Sequence, residues 1–244
     1  MVQINWRTPE DLVRIGFNRA RVVMMNEAHD GMARCIRTRQ VGRLVTSVAH
    51  DAGVRHLAME ALWVSIAAEA NRTRRLPERS EDDLIYLGQP DMRAFIQGAL
   101  DLGWTLIAYE MEQPPPHDLS EREIINWREE VQAHNLVAAL HSLPAGDPLF
   151  VWCGLGHHSK LASPVWTPMG YHFKRFSGVD HFVIDQVQTV VSPRRQQLLD
   201  CYVPELNVRG GTGGFLIEEG PPSFIRRGRD WADAFIFSTQ NEME

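Results

Sequence analysis

The sequence predicts an α/β fold: one domain over residues 1–244, with a mostly parallel central sheet and helices on both faces. Three observations predict it. Continuously apolar runs (Arg21-Val22-Val23-Met24-Met25, His56-Leu57-Ala58-Met59, Thr105-Leu106-Ile107-Ala108-Tyr109 and Leu149-Phe150-Val151-Trp152) alternate with helix-like stretches, as buried parallel strands and their crossovers do. Each run leads into an acid or a histidine: Glu27 and His29, Glu60, Glu110, and His157 through Gly154-Leu155-Gly156. In open sheets of this class, ligands bind outside the carboxyl ends of the strands. Finally, 244 residues that are 44% hydrophobic and 23% charged can build a substantial core.

Taken in order, Thr8-Pro9-Glu10-Asp11 is a helix start, with Thr8 as N-cap, and Leu12, Val13, Ile15 and Phe17 as the apolar face. After the first strand, a helix from about Gly31 to Ala52 is expected, stopped by Gly53. The second strand and a helix from Trp63 to Ala70 follow. Residues 71–89 are polar and loop-like, an insertion or lid, and the Arg72, Arg74, Arg75, Arg79 cluster there is balanced by acids and reads as solvated. Asp91 to Leu102 is helical and precedes the third strand. Ser120 and Glu123 make a capping box for a long helix to about His141. Beyond the fourth strand, Val165 to Phe176 is a short helix and His181 to Asp185 a fifth strand. The Gly210-Gly211-Thr212-Gly213-Gly214 loop, lacking a following lysine and helix, is no phosphate loop; it precedes weaker strands at Phe215–Ile217 and Ala234–Phe237. Met24, Met25, Trp63, Trp104, Trp127, Trp152 and Trp166 read as core.

A net charge of -6 argues against nucleic acid or an anionic membrane as partner. Three scattered cysteines, with no C-x-x-C pair, fit a reducing compartment. No signal peptide or spanning segment is visible, so the cytoplasm is the expected location. Cys153 reads as a buried thiol, and no serine or cysteine nucleophile setting stands out. His29 could serve as general base or ligand. Glu60, flanked by Ala61 and Leu62, is expected to have its pKa raised by desolvation, making it a proton carrier. Glu110 and, more weakly, Glu112 repeat that pattern. His158 adjoins His157, and adjacent side chains diverge, so one of the two should face the site. Arg128 and Asn135 share a helix face and could clamp a carbonyl or carboxylate.

These residues together resemble the erythromycin esterase, ChaN and Tiki superfamily. Asn26-Glu27-Ala28-His29-Asp30, then Arg39 and Leu44, then Ala58-Met59-Glu60 are similar to its opening, G-E-x-H-D or G-E-x-x-H, a helix, and a strand ending in glutamate. Arg128-Glu129-Glu130-Val131-Gln132-Ala133-His134-Asn135 resembles its R-E-x-M-A-x-N signature, Gly154 to His157 its G-x-x-H turn, and Met169-Gly170 its M-G pair. Asn26 replaces the usual glycine, and Gly154 and Leu155 stand where the esterase pattern H-N-x-H begins. The resemblance spans about residues 20–190.

It implies a catalytic set of His29, Glu60 and His157, with Arg128, Arg39, Asn135 and His158 binding substrate. A divalent metal (Mn, Zn or Fe) would be held by Glu27, His29, Glu60, Glu110 and His157. The expected activity is hydrolysis of an ester, lactone or amide bond in a small molecule or peptide. The alternatives are a haem- or metal-binding protein like ChaN, whose relatives bind haem as a homodimer, and a tailoring enzyme that cyclises or eliminates in the same pocket.

Overall fold

Side-chain alternation along the strands sets the layers of the domain. A computed structural model describes residues 4–27, 29–30, 33–60, 62–78, 87–187, 200–221 and 231–239, with backbone alone for 29–30, 33–34 and 187. In β1 (Val22–Asn26), Val23 and Met25 point to one face, where α1 (Pro9–Arg19), α2 (Ile36–Asp51), α3 (Val64–Thr73) and α4 (Pro90–Asp101) pack; Val22 and Met24 point to the other, covered by α5 (Glu121–Ser142) and α6 (Met169–Ser177). A strand buried on both faces must be apolar at every position, which is why these runs lack alternation in sequence.

The sheet has seven strands among the described residues, in the order β5 (Thr105–Ala108), β4 (His56–Met59), β6 (Leu149–Cys153), β1, β7 (Phe182–Val187), β9 (Ala234–Ser238), β8 (Thr212–Leu216). All pairs are parallel except β8 with β9. A short helix α7 (Val203–Asn207) and the aromatic group Trp6, Phe215, Phe235 and Phe237 cover the β8–β9 end. Asn71 closes the β5 edge: its amide donates to Leu106 O at 2.8 Å and accepts from Leu106 N at 2.7 Å, as a neighbouring strand would. At the other edge Arg7 makes a two-bond bridge to Gly214. No helix among the described residues is long and apolar enough to cross a membrane.

The expected starts at Thr8 and Ser120 hold: Thr8 caps α1, and Ser120 and Glu123 form the reciprocal capping box of α5. Other boundaries move. The helix expected from Gly31 starts at Ile36, because His29–Asp30 (β2) and Ala33–Arg34 (β3) pair antiparallel, and backbone in that ladder cannot also turn helically. α3 runs on to Thr73, so the polar stretch begins later than residue 71; residues 79–86 of it lie outside the described part. The helix expected from Val165 begins at Met169, after Pro164 and Pro168 hold the chain extended. Thr212, Gly213 and Gly214 are strand rather than loop, since pairing with β9 and with Arg7 overrides their weak propensity. Trp104 and Trp152 are fully buried core, but Trp63 is 44% exposed at the start of α3.

Candidate active site at the carboxyl rim

The strands β4, β5 and β6 lie side by side, so the residues that follow them share one rim. Glu60 follows β4, with its own N–H still bonded to Trp152 O of β6. Its side chain is nearly buried and fully engaged: Oε1 accepts from Arg128 Nη2 at 2.7 Å, and Oε2 accepts from the N–H of Gly154. Burial alone would push this carboxyl up. The His157 imidazolium, the Arg128 guanidinium and the Gly154 amide outweigh it and hold the group at about 2. The expectation that Glu60 is a raised-pKa proton carrier is therefore corrected: it is an ionised carboxylate.

Arg128 comes from the first half of α5. Its Nη2 is shared with Glu110 Oε2, and Nε donates to Glu110 Oε1 at 3.1 Å. Gln132, one turn on, donates to both Glu110 oxygens at 3.1 Å, and Asn135 donates to the carbonyls of Tyr109 and Glu110. Residues 128, 132 and 135 thus form one polar stripe that fastens α5 to the end of β5. Asn135, expected to hold substrate, uses its amide N–H groups on backbone. Burial pushes the Tyr109 phenol well up, and it donates to Trp152 O at 2.9 Å.

His157 sits in the turn after β6. Gly156 adopts φ +88°, and a Cβ there would lie 2.7 Å from the Trp166 ring. Glycine is thus required both for the backbone and for the close approach. The His157 ring lies between two acids, with Nε2 3.8 Å from Glu60 Oε1 and Nδ1 2.6 Å from Glu129 Oε1, the latter off the ring N–H axis. Burial drives the imidazolium down, but Glu60 and Glu129 outweigh it and raise His157 to about 9. At neutral pH the ring is a cation and a proton donor. Glu60, Glu110 and Glu129 against Arg128 and His157 leave a compact cluster of opposed charges.

The remaining expected residues fall elsewhere on the rim. Glu27 and Arg39 form a separate, fully buried pair at the end of β1, Nε to Oε2 at 2.9 Å. His29 follows two residues later in β2, and its side chain lies outside the described part. His158 diverges from His157 as expected, but it is fully buried with Nε2 3.8 Å from Asp185 Oδ1, so it is no open substrate contact. Asn26 donates to Asp185 Oδ1 at 2.9 Å and accepts from the Gln186 N–H at 2.6 Å. This explains a polar amide where the related pattern has glycine. Cys153 is buried and Glu112 is exposed.

As a metal cage the described donors fit poorly. No three His, Cys, Asp or Glu side chains among the described residues converge as a metal site requires. Glu60 and Glu110 share Arg128, and Glu27 is engaged by Arg39.

Two site residues escaped the sequence reading. Gln132 was accessible in principle, because it lies one helical turn from Arg128. Glu129 fills the glutamate of the R-E-x-M-A-x-N resemblance, but nothing in that pattern gives its role: it points away from Arg128 to a different neighbour, the start of α6.

No family model and no curated protein matches the chain. Solved structures do match. The chain superimposes on a mutant of erythromycin esterase EreC in its open conformation with TM-score 0.64 at 10% identity, covering 98% of this chain and 99% of that one. It is similar to a Bacillus cereus protein (TM-score 0.59, 10% identity, 97% and 94% covered) and to ChaN of Campylobacter jejuni, described for cofacial haem binding (0.53, 11%, 94% and 91%). It also matches a bacterial protein toxin but spans only 37% of that chain. The chain therefore has the erythromycin esterase and ChaN-like fold.

Proposed function

We propose that the chain is a hydrolase of ester, lactone or amide bonds in a small molecule or peptide, working at the rim of β4, β5 and β6. The observation that carries this reading is the largely buried His157 ring set between the carboxylates of Glu60 and Glu129, with Glu60 held by Arg128 and the Gly154 amide, an arrangement that favours the imidazolium. An imidazolium fixed at a partly open site is a general acid for a leaving alkoxide or amine, a contribution of about 10²–10⁴-fold. Arg128 makes no contact through Nη1 among the described residues and is 29% exposed, so that edge is left for a substrate carbonyl or carboxylate. His29, which follows β1 on the same rim, is assigned as base: it takes a proton from water as the water oxygen attacks the carbonyl carbon. His157 then gives its proton to the departing oxygen or nitrogen.

The test is a panel of lactones and nitrophenyl esters followed by product mass. Hydrolysis adds one water, whereas cyclisation conserves mass and elimination lowers it. His29→Ala and His157→Gln should each abolish turnover in a folded protein; unchanged turnover in both would end the proposal. A second reading, haem binding, draws on the fold likeness to ChaN. A Soret band on adding haemin to the purified chain would support it, and elemental analysis of the untreated protein separates the metal reading from both.

A further inference from the structure

We propose that Glu129 is the positioning residue of His157: it anchors the imidazole through Nδ1 so that Nε2–H is presented to the leaving group. The catalytic consequence rests on the hydrolase reading above, whereas the anchoring itself does not.

Glu129 is 1% exposed, and an unpaired carboxylate so deep would be costly. It is compensated from three directions. Oε2 accepts from Met169 N at 2.6 Å, an N–H in the first turn of α6 that has no helical partner of its own and lies at the positive end of that helix. Oε1 accepts from Trp166 Nε1 at 2.9 Å and faces His157 Nδ1 at 2.6 Å. Two of the three contacts tie the carboxylate to parts of the fold outside the turn. Glu129 is therefore fixed independently of His157, and the ring takes its position from the carboxylate.

The surroundings limit the ring further. Trp166 packs edge-on against it, with centroids 6.0 Å apart and planes at 86°. Its backbone is held by Gly170 N donating to His157 O at 2.7 Å. Nδ1 lies 2.6 Å from Glu129 Oε1 as an ion-pair contact off the N–H axis, and the other nitrogen faces Glu60 at 3.8 Å, beyond hydrogen-bond range. Glu60 thus attracts the ring without consuming its Nε2–H, which stays available. A carboxylate that orients a histidine from behind while the far nitrogen does the chemistry is a recurrent arrangement for proton transfer.

The test uses the full chain. A proton NMR spectrum of the wild type should contain an imidazole N–H resonance, shielded from exchange by burial and displaced by the nearby Glu129 carboxylate, that is absent in His157→Gln, which assigns it. Glu129→Gln should remove it, and Trp166→Phe should retain it. Absence of the signal in the wild type, or its survival in Glu129→Gln, would overturn the proposal. Should Glu129→Gln fail to fold, Glu129→Asp keeps the charge but withdraws it, and must shift the resonance; an unmoved resonance overturns the proposal equally. On any lactone of the panel that is turned over, where the leaving alkoxide needs a proton, Glu129→Gln should lower kcat about 10²-fold at unchanged KM, with part of the rate restored in Glu129→Asp. Loss through KM alone counts against it. The resonance reports on the anchoring even if no ester is cleaved, so the two failures are distinguishable.

Discussion

His157 Nε2 stands 3.8 Å from Glu60 Oε1, near enough for two ions to attract and too far for a hydrogen bond. That attraction belongs to the folded state alone and makes stability depend on pH. His157 is raised to about 9 from an ordinary 6.5. Its contribution is therefore complete below pH 6.5 and is lost as pH rises through 9. A difference of this size corresponds to something on the order of 3 kcal/mol. Glu60, held at about 2, reports the same pair from the other side, and the two are not additive. Urea titrations between pH 6 and 10 should show falling stability in the wild type and a flattened limb in His157→Gln.

The acid limb has a different origin. His181 is 1% exposed and is pushed down to about 3, first by burial and then by Lys160. It stays neutral in the fold while the unfolded chain takes up a proton. Its contribution is present above pH 6.5 and is lost as pH falls from 6.5 towards 3. Loss of stability should thus set in near pH 6.5, about two pH units above the ordinary carboxyl value of 4.5 below which the contribution of Glu60 starts to fall. His181→Gln should flatten the curve between pH 6 and 4.5; an onset unchanged from the wild type would refute the assignment.

Arg128 neutralises two carboxylates that are 7% and 9% exposed. Arg128→Met leaves both without their cation, and breaking a buried pair in this way costs about 3–5 kcal/mol. Arg128→Lys keeps the charge but cannot span both acids with a planar fork, so its loss should fall between. Denaturant midpoints of the three proteins give the order directly.

Gly170 lies in the first turn of α6 against the His157–Ser159 turn. A Cβ there would sit 2.3 Å from His158 O and 2.8 Å from Ser159 O, both backbone atoms that cannot swing aside. Gly170→Ala should cost about 1–3 kcal/mol through overpacking. Because the displaced backbone carries His157, activity on any cleaved ester should fall further than stability does.

Much of the framework was written in local pattern. The runs that became β1, β4, β5 and β6 needed only continuous apolarity, and α1 and α5 announced their starts through Thr8 with Pro9 and Ser120 with Glu123. The convergence of Glu60, Glu110, Arg128 and His157 followed from parallel topology. What local pattern could not carry was environment. The state of Glu60 depends on Arg128 and Gly154, 68 and 94 residues away, and desolvation considered alone gave the opposite sign. The β2–β3 pair was hidden because two-residue strands have no periodicity. Glu129 was visible only as the glutamate of the R-E signature, since its burial comes from the tertiary approach of Trp166 and Met169.

Both flanks of the sheet are plugged from within the chain, by the Asn71 amide beside β5 and by the Arg7 rung beside β8. A foreign strand that tried to extend either flank would first have to evict bonds already made, which guards the molecule against templated aggregation. Asn71→Leu, which removes both bonds to Leu106, should accordingly raise the tendency to polymerise, read by light scattering against the wild type.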